Sequence, residues 1–160
     1  MKEIEIKSTL QVYDSFDELP KDIQDLMQQS FDIRDKGYAP YSEFLVGAAL
    51  LLENGEVVLG NNQENACYPS GLCAERVAIF SAGANFPGVP VLKMALSAKS
   101  LKHQLITPTP PCGACRQSIA EYELNQKKPI EIFFTGETGK VVKSYSLANL
   151  LPLIFDNSYL

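Results

Sequence analysis

The chain has 160 residues, 46% of them hydrophobic, which suits one domain with its own core and no need of disulfide staples. Its 19 acidic and 14 basic residues give a net charge of −5, and its longest basic run is Lys127-Lys128. That weighs against a nucleic-acid partner held through its phosphates. The opening stretch MKEIEIKSTL lacks the apolar centre of a signal peptide, and no stretch approaches the roughly 18 apolar residues of a membrane span. A cytoplasmic location is the expectation, and there four cysteines are metal-binding or catalytic rather than disulfide-bonded.

In chain order, Ile4, Ile6, Leu10 and Val12 share one phase of a two-residue period, which predicts an edge strand or extended arm. Pro20 suits the first position of a helix carrying Ile23, Leu26, Met27 and Phe31, with Gly37 and Pro40 as its stop. FLVGAALLLENGEVVLG predicts a hairpin closed through Asn54-Gly55, a pair that suits a type I′ turn. Residues 61–71 are polar and turn-rich and read as a loop. CAERVAIFSAGAN predicts a helix ending near Gly83, and VLKMALSA a buried strand. The proline-rich TPTPPC must be extended, and CGACRQSIAEYEL starts another helix behind it. IEIFF and the end of GETGKVVKSYSL read as strands, and Ser146 is expected to cap a short last helix through LANLLPLIF. The order implies a single α/β domain built on a mixed sheet.

Cys73 opens the first of the two middle helices, and Cys112 and Cys115 open the second with C-x-x-C spacing. Residues three apart on a helix lie about 300° apart around the axis, so their two sulfurs share a face and can grip one ion. Helix N-termini favour thiolate over thiol, and thiolate is the form a metal needs. Three protein ligands leave the fourth position of a zinc site open. Glu75 stands two residues after Cys73, about 200° away on a strict helix. With Cys73 at the cap, that rule relaxes and Glu75 can lean over the open position. Spacing alone also accommodates an ordinary first-turn carboxylate.

CAE followed downstream by PCGAC matches the zinc deaminase signature of a ligand, any residue, Glu, then P-C-x-x-C. With YAPYSEFLVGAALL, NNQENACYPSGLCAERVAIFSA and PPCGACRQ, the chain resembles the cytidine deaminases, the Cys₃ zinc enzymes of pyrimidine salvage, from about Tyr38 to Phe155. The resemblance implies a three-layer α/β/α domain with a mixed sheet of about five strands and helices on both faces. Residues 37–160 would be that domain, and residues 1–36 an N-terminal extension (strand or arm plus helix) packed on it. It implies one Zn²⁺ per subunit on Cys73, Cys112 and Cys115, with Glu75 as the catalytic proton shuttle. Phe44 would pack against the pyrimidine, Asn62 and Glu64 would bind ribose hydroxyls, and the backbone of Ala74 would contact the base. Arg76 and Arg116 would offset the charge of three thiolates through hydrogen bonds to sulfur. Phe155, on the last helix, would reach a neighbouring subunit's site within a homotetramer.

The implied activity is hydrolytic deamination of cytidine and 2′-deoxycytidine to the uridines and ammonia, with no membrane or nucleic-acid partner. His103 lacks a glutamate two residues on and reads as a loop residue. Cys67, outside the ligand motifs, reads as a small hydrophobe. Two other readings stay open: a deaminase of a related nucleoside such as blasticidin S, and a non-catalytic zinc module closed by Cys67 as fourth ligand.

Overall fold

The structure is a computed structural model that describes residues 1–160. Its elements are β1 (Leu10–Tyr13), α1 (Lys21–Arg34), β2 (Phe44–Leu52), β3 (Val57–Asn61), α2 (Ala74–Asn85), β4 (Val91–Ser100), α3 (Gly113–Gln126), β5 (Glu131–Thr135) and β6 (Val141–Ser144). The strands form one mixed sheet in the order β1-β6-β5-β4-β2-β3. Only β4 and β5 run parallel, joined by the α3 crossover, and every other pair is antiparallel. The sheet therefore has six strands where about five were expected. The sixth is β1, four residues long and paired along β6.

Alternation along the central strands assigns the layers. On β2, Ala48, Leu50 and Leu52 join Met94, Leu96, Ile132 and Phe134 under α2 and α3, where Ala78, Ile79, Ile119 and Ala120 complete the larger core. The opposite phase, with Ala49, Ala95 and Phe133, packs against Ile23, Leu26 and Met27 of α1. Each fully buried Leu, Ile, Met or Phe side chain in these layers contributes roughly 1.5–3 kcal/mol relative to exposure. The result is three layers, α/β/α, with α1 alone on one face.

Three local expectations are corrected. The β2–β3 turn is not type I′, because Gly55 has φ 88° while Asn54 keeps a negative φ. Gly55 N donates to Leu52 O, Leu52 N donates to Glu56 O, and the Asn54 side chain accepts from Glu56 N. This is a three-residue loop with glycine at the left-handed position. Pro20 is the residue before α1 rather than its first turn. The last helix shrinks to one 3₁₀ turn, Leu147–Asn149, capped by Ser146 as expected through a bond accepted from Ala148 N. Pro152 has no amide to extend it.

Candidate metal and ligand site

Two strand-to-helix crossings place the sulfurs. β3 ends at Asn61 and leads through a loop into α2, and β4 ends at Ser100 and leads through the proline-rich segment into α3. Both helices begin at the same end of the sheet. Cys73 is the cap residue of α2 (φ −71°, ψ 155°), and Cys112 is the cap residue of α3 (φ −67°, ψ 169°). Cys115, in the first turn of α3, is fully buried. The Cys73 and Cys112 sulfurs are 4.0 Å apart and the Cys112 and Cys115 sulfurs 3.5 Å apart. All three lie within 4.8 Å of one another. Tetrahedral bonds of about 2.3 Å to zinc set sulfurs roughly 3.8 Å apart, so this donor set fits that ion. Cys67 is exposed and outside the cluster, which disfavours the closed four-cysteine module.

The extended backbone of Cys73 settles how Glu75 comes round. The helix begins at Ala74, so the 200° separation expected inside a helix does not apply across the cap. Glu75 is 5% exposed and its carboxyl reaches Cys115 within hydrogen-bond range. Burial, and then the charge on Cys73, push its pKa up from 4.5 to about 6. The Cys73 thiol falls from 9.0 to about 5, foremost through its hydrogen bond with Cys115, then through Arg76 and Cys112. Cys115, on the other side of that bond and beside the Glu75 carboxylate, is pushed up.

The carboxyl and the sulfurs stand at one end of a cavity of about 600 Å³. Phe44, Asn62 and Glu64 line the rest of it with Tyr68 and residues 96–98 of β4. Glu43, at φ 56°, turns the chain into β2 so that Phe44 is its first residue. Asn62 holds the start of β2: its Oδ1 accepts from Val46 N at 2.9 Å and its Nδ2 donates to Phe44 O at 2.8 Å. Glu64 Oε2 accepts from Tyr41 N and Ser42 N at 2.9 and 3.2 Å. The Ser42 hydroxyl, then these amides, hold the Glu64 carboxyl below its usual range. Ala74 is fully buried at the head of α2.

The two arginines part company. Arg76 Nη2 donates to Cys73 Sγ at 3.9 Å. The hydrogen bonds of Arg116 go instead to main-chain oxygens, from Nε to Pro111 O at 2.8 Å and from Nη1 to Leu150 O at 2.9 Å. Phe155 does not line this chain's cavity. It lies in the tail, 61% exposed, stacked on Tyr159, with its carbonyl accepting from Gln117 Nε2. His103 is an exposed loop residue beside Ser100. Sequence reasoning missed Tyr41, Ser42 and the β4 residues, although YAPYS was singled out as a motif; nothing local marks which loop amides meet a carboxylate 22 residues away.

Residues 20–128 match the family described as the cytidine and deoxycytidylate deaminase zinc-binding region. A curated cytidine deaminase of Halalkalibacterium halodurans is 44% identical over 134 residues, spanning 84% of this chain and 94% of that protein. Another, from Sporosarcina psychrophila, is 40% identical over 134 residues, with 84% and 91% covered. Among solved structures, the cytidine deaminase of Burkholderia pseudomallei superposes with a TM-score of 0.70 at 40% identity, covering 82% of this chain and 97% of that one. The Mycobacterium tuberculosis cytidine deaminase gives 0.65 at 28% identity, covering 86% and 99%.

Proposed function

The chain belongs to the cytidine and deoxycytidylate deaminases, and on that premise we propose that it hydrolyses cytidine and 2′-deoxycytidine to uridine and 2′-deoxyuridine, releasing ammonia. The observation that carries this reading is a buried carboxyl, Glu75, set against a three-sulfur cluster at the end of a cavity sized for a nucleoside. Cys73, Cys112 and Cys115 hold one zinc ion, which when bound is the Lewis acid that makes water nucleophilic near neutral pH.

Glu75 does the proton work. Its carboxylate takes a proton from the attacking water and passes it to N3 of the pyrimidine while C4 is attacked. It then relays a second proton to the departing amino group. A pKa raised by burial suits a group that must both accept and release a proton near pH 7. Phe44 packs on the ring, and the main chain at Ala74 meets its polar edge. The Glu64 carboxylate accepts from a ribose hydroxyl and Asn62 Nδ2 donates to one, so a nucleoside is preferred to a free base. Arg76, donating to Cys73 Sγ, offsets part of the thiolate charge.

The finer reading is a cytoplasmic homotetramer serving pyrimidine salvage, in which Phe155 enters a neighbouring subunit's cavity. Its exposure outside the cavity of its own chain supports that placement. No helix is long and apolar enough to cross a membrane.

The direct test is an ultraviolet absorbance assay on cytidine, 2′-deoxycytidine, free cytosine and blasticidin S. Deamination of the first two alone, abolished in Glu75→Gln, is the expected result. Turnover of blasticidin S in preference to cytidine would replace the substrate assignment. Light scattering on the purified protein, with Phe155→Ala beside the wild type, tests the assembly and the crossing aromatic.

A further inference from the structure

Arg116 commits its guanidinium to two main-chain oxygens that belong to different parts of the chain. The first, Pro111 O, is the acceptor of the peptide that enters Cys112. Pro111 is fully buried, so its carbonyl needs a protein partner. A peptide unit is planar, so fixing that oxygen also fixes the amide plane on which Cys112 hangs. The proline ring fixes the torsion on the other side.

The second oxygen, Leu150 O, closes the 3₁₀ turn at Leu147–Leu150, where Leu150 N and Leu151 N both donate to Leu147 O. α3 grips this turn at its other end as well. Glu123 accepts from Leu147 N at 2.9 Å and from Ser146 Oγ at 2.6 Å. Arg116 and Glu123 are seven residues apart, about two helical turns, and so share one face of α3. The cation meets the carbonyl end of the turn and the anion its amide end, each with backbone groups of opposite polarity. Leu147 is fully buried and Leu150 nearly so, which anchors the turn in the larger core.

We propose that Arg116 is a positioning residue for the metal, one that locks the Pro111–Cys112 peptide to the Leu147–Leu150 turn and so keeps Cys112 Sγ within the three-sulfur cluster. This rests on the reading of Cys73, Cys112 and Cys115 as zinc ligands. It replaces, for Arg116, the charge-neutralising bond to sulfur, which only Arg76 makes. The two roles separate in Arg116→Lys. Lysine keeps the charge, but its compact ammonium lacks the planar fork that spans two carbonyls.

The test follows zinc release from the purified zinc-loaded protein to a colorimetric chelator, for the wild type, Arg116→Lys, Arg116→Gln and Glu123→Gln, with urea unfolding of each beside it. Both Arg116 variants are expected to release zinc roughly 10–100-fold faster than the wild type, the range typical of lost support around a metal ligand. Glu123→Gln, which loosens the same turn without touching Pro111, is expected to lower the urea midpoint while releasing zinc nearly as slowly as the wild type. Wild-type release from Arg116→Lys overturns the proposal, and so does equal acceleration by Glu123→Gln, which would reduce the effect to general loosening. A wild-type protein that holds no zinc overturns it by a different route, by removing the ligand reading beneath it.

Discussion

Burial gives Glu75 two properties that oppose each other, a proton affinity near neutral pH and a cost to the fold once that proton is gone. The first leads to a kinetic expectation. Glu75→Gln keeps the size of the side chain and the three sulfurs, so zinc content should stay at one per chain while turnover falls by about 10³-fold or more. Metal analysis beside the absorbance assay checks both halves. The second is visible once zinc is stripped. In the unfolded chain the carboxyl titrates near 4.5, and in the folded metal-free protein near 6. The native state binds the proton more tightly, so this group's contribution is favourable at low pH and is lost as pH rises from 4.5 through 6. Metal-free Glu75→Gln should then exceed the metal-free wild type by about 2 kcal/mol at pH 8, with the gap closing below pH 5. Urea midpoints across that range measure it, and a gap independent of pH would contradict the assignment.

Close approach of two elements decides where the ligands stand. Gly60 lies in β3 where a Cβ would fall 2.6 Å from both Ala74 O and Ala78 N, so the strand touches the first turn of α2. Gly60→Ala is expected to push that turn off the sheet and to cost about 1–3 kcal/mol. Because Ala74 follows Cys73, the same change should weaken zinc retention, which chelator competition reads directly. At this scale the sequence was readable where the signal was local. The apolar run of β2 and the cysteines at both helix starts needed only near neighbours, and both appear as expected. The turn type at Asn54 could not be read from Asn-Gly, which suits more than one loop; the β2–β3 register, with Leu52 N donating to Glu56 O, leaves three residues to turn the chain. The direction of Arg116 could not be read from CGACRQ at all, since its partner Leu150 lies 34 residues on. Likewise the tail after Leu150 packs Leu151 and Ile154 on the larger core without a helix, because Pro152 offers no amide to continue one.

Across the whole molecule, the sulfurs join the starts of α2 and α3, two helices that reach the site from separate crossings of the sheet. Binding an ion there stabilises the folded state by mass action, about 4 kcal/mol when free zinc exceeds its dissociation constant a thousandfold. Chelation should therefore lower the melting temperature reversibly, with recovery on adding zinc, and a melting point indifferent to chelator would exclude a folding role. The sheet has a different weak point. Leu10–Tyr13 pairs only with Val141–Ser144, so the first strand of the chain closes on its last. During synthesis Leu10 emerges long before Ser144 exists to meet it. It must wait as an open strand, its exposed Leu10 and Val12 unpaired, until almost the whole domain has left the ribosome. Assembly that finishes at this seam also has a place to begin coming apart, and amide exchange at Leu10–Tyr13 should outpace that of β4 and β5 by orders of magnitude.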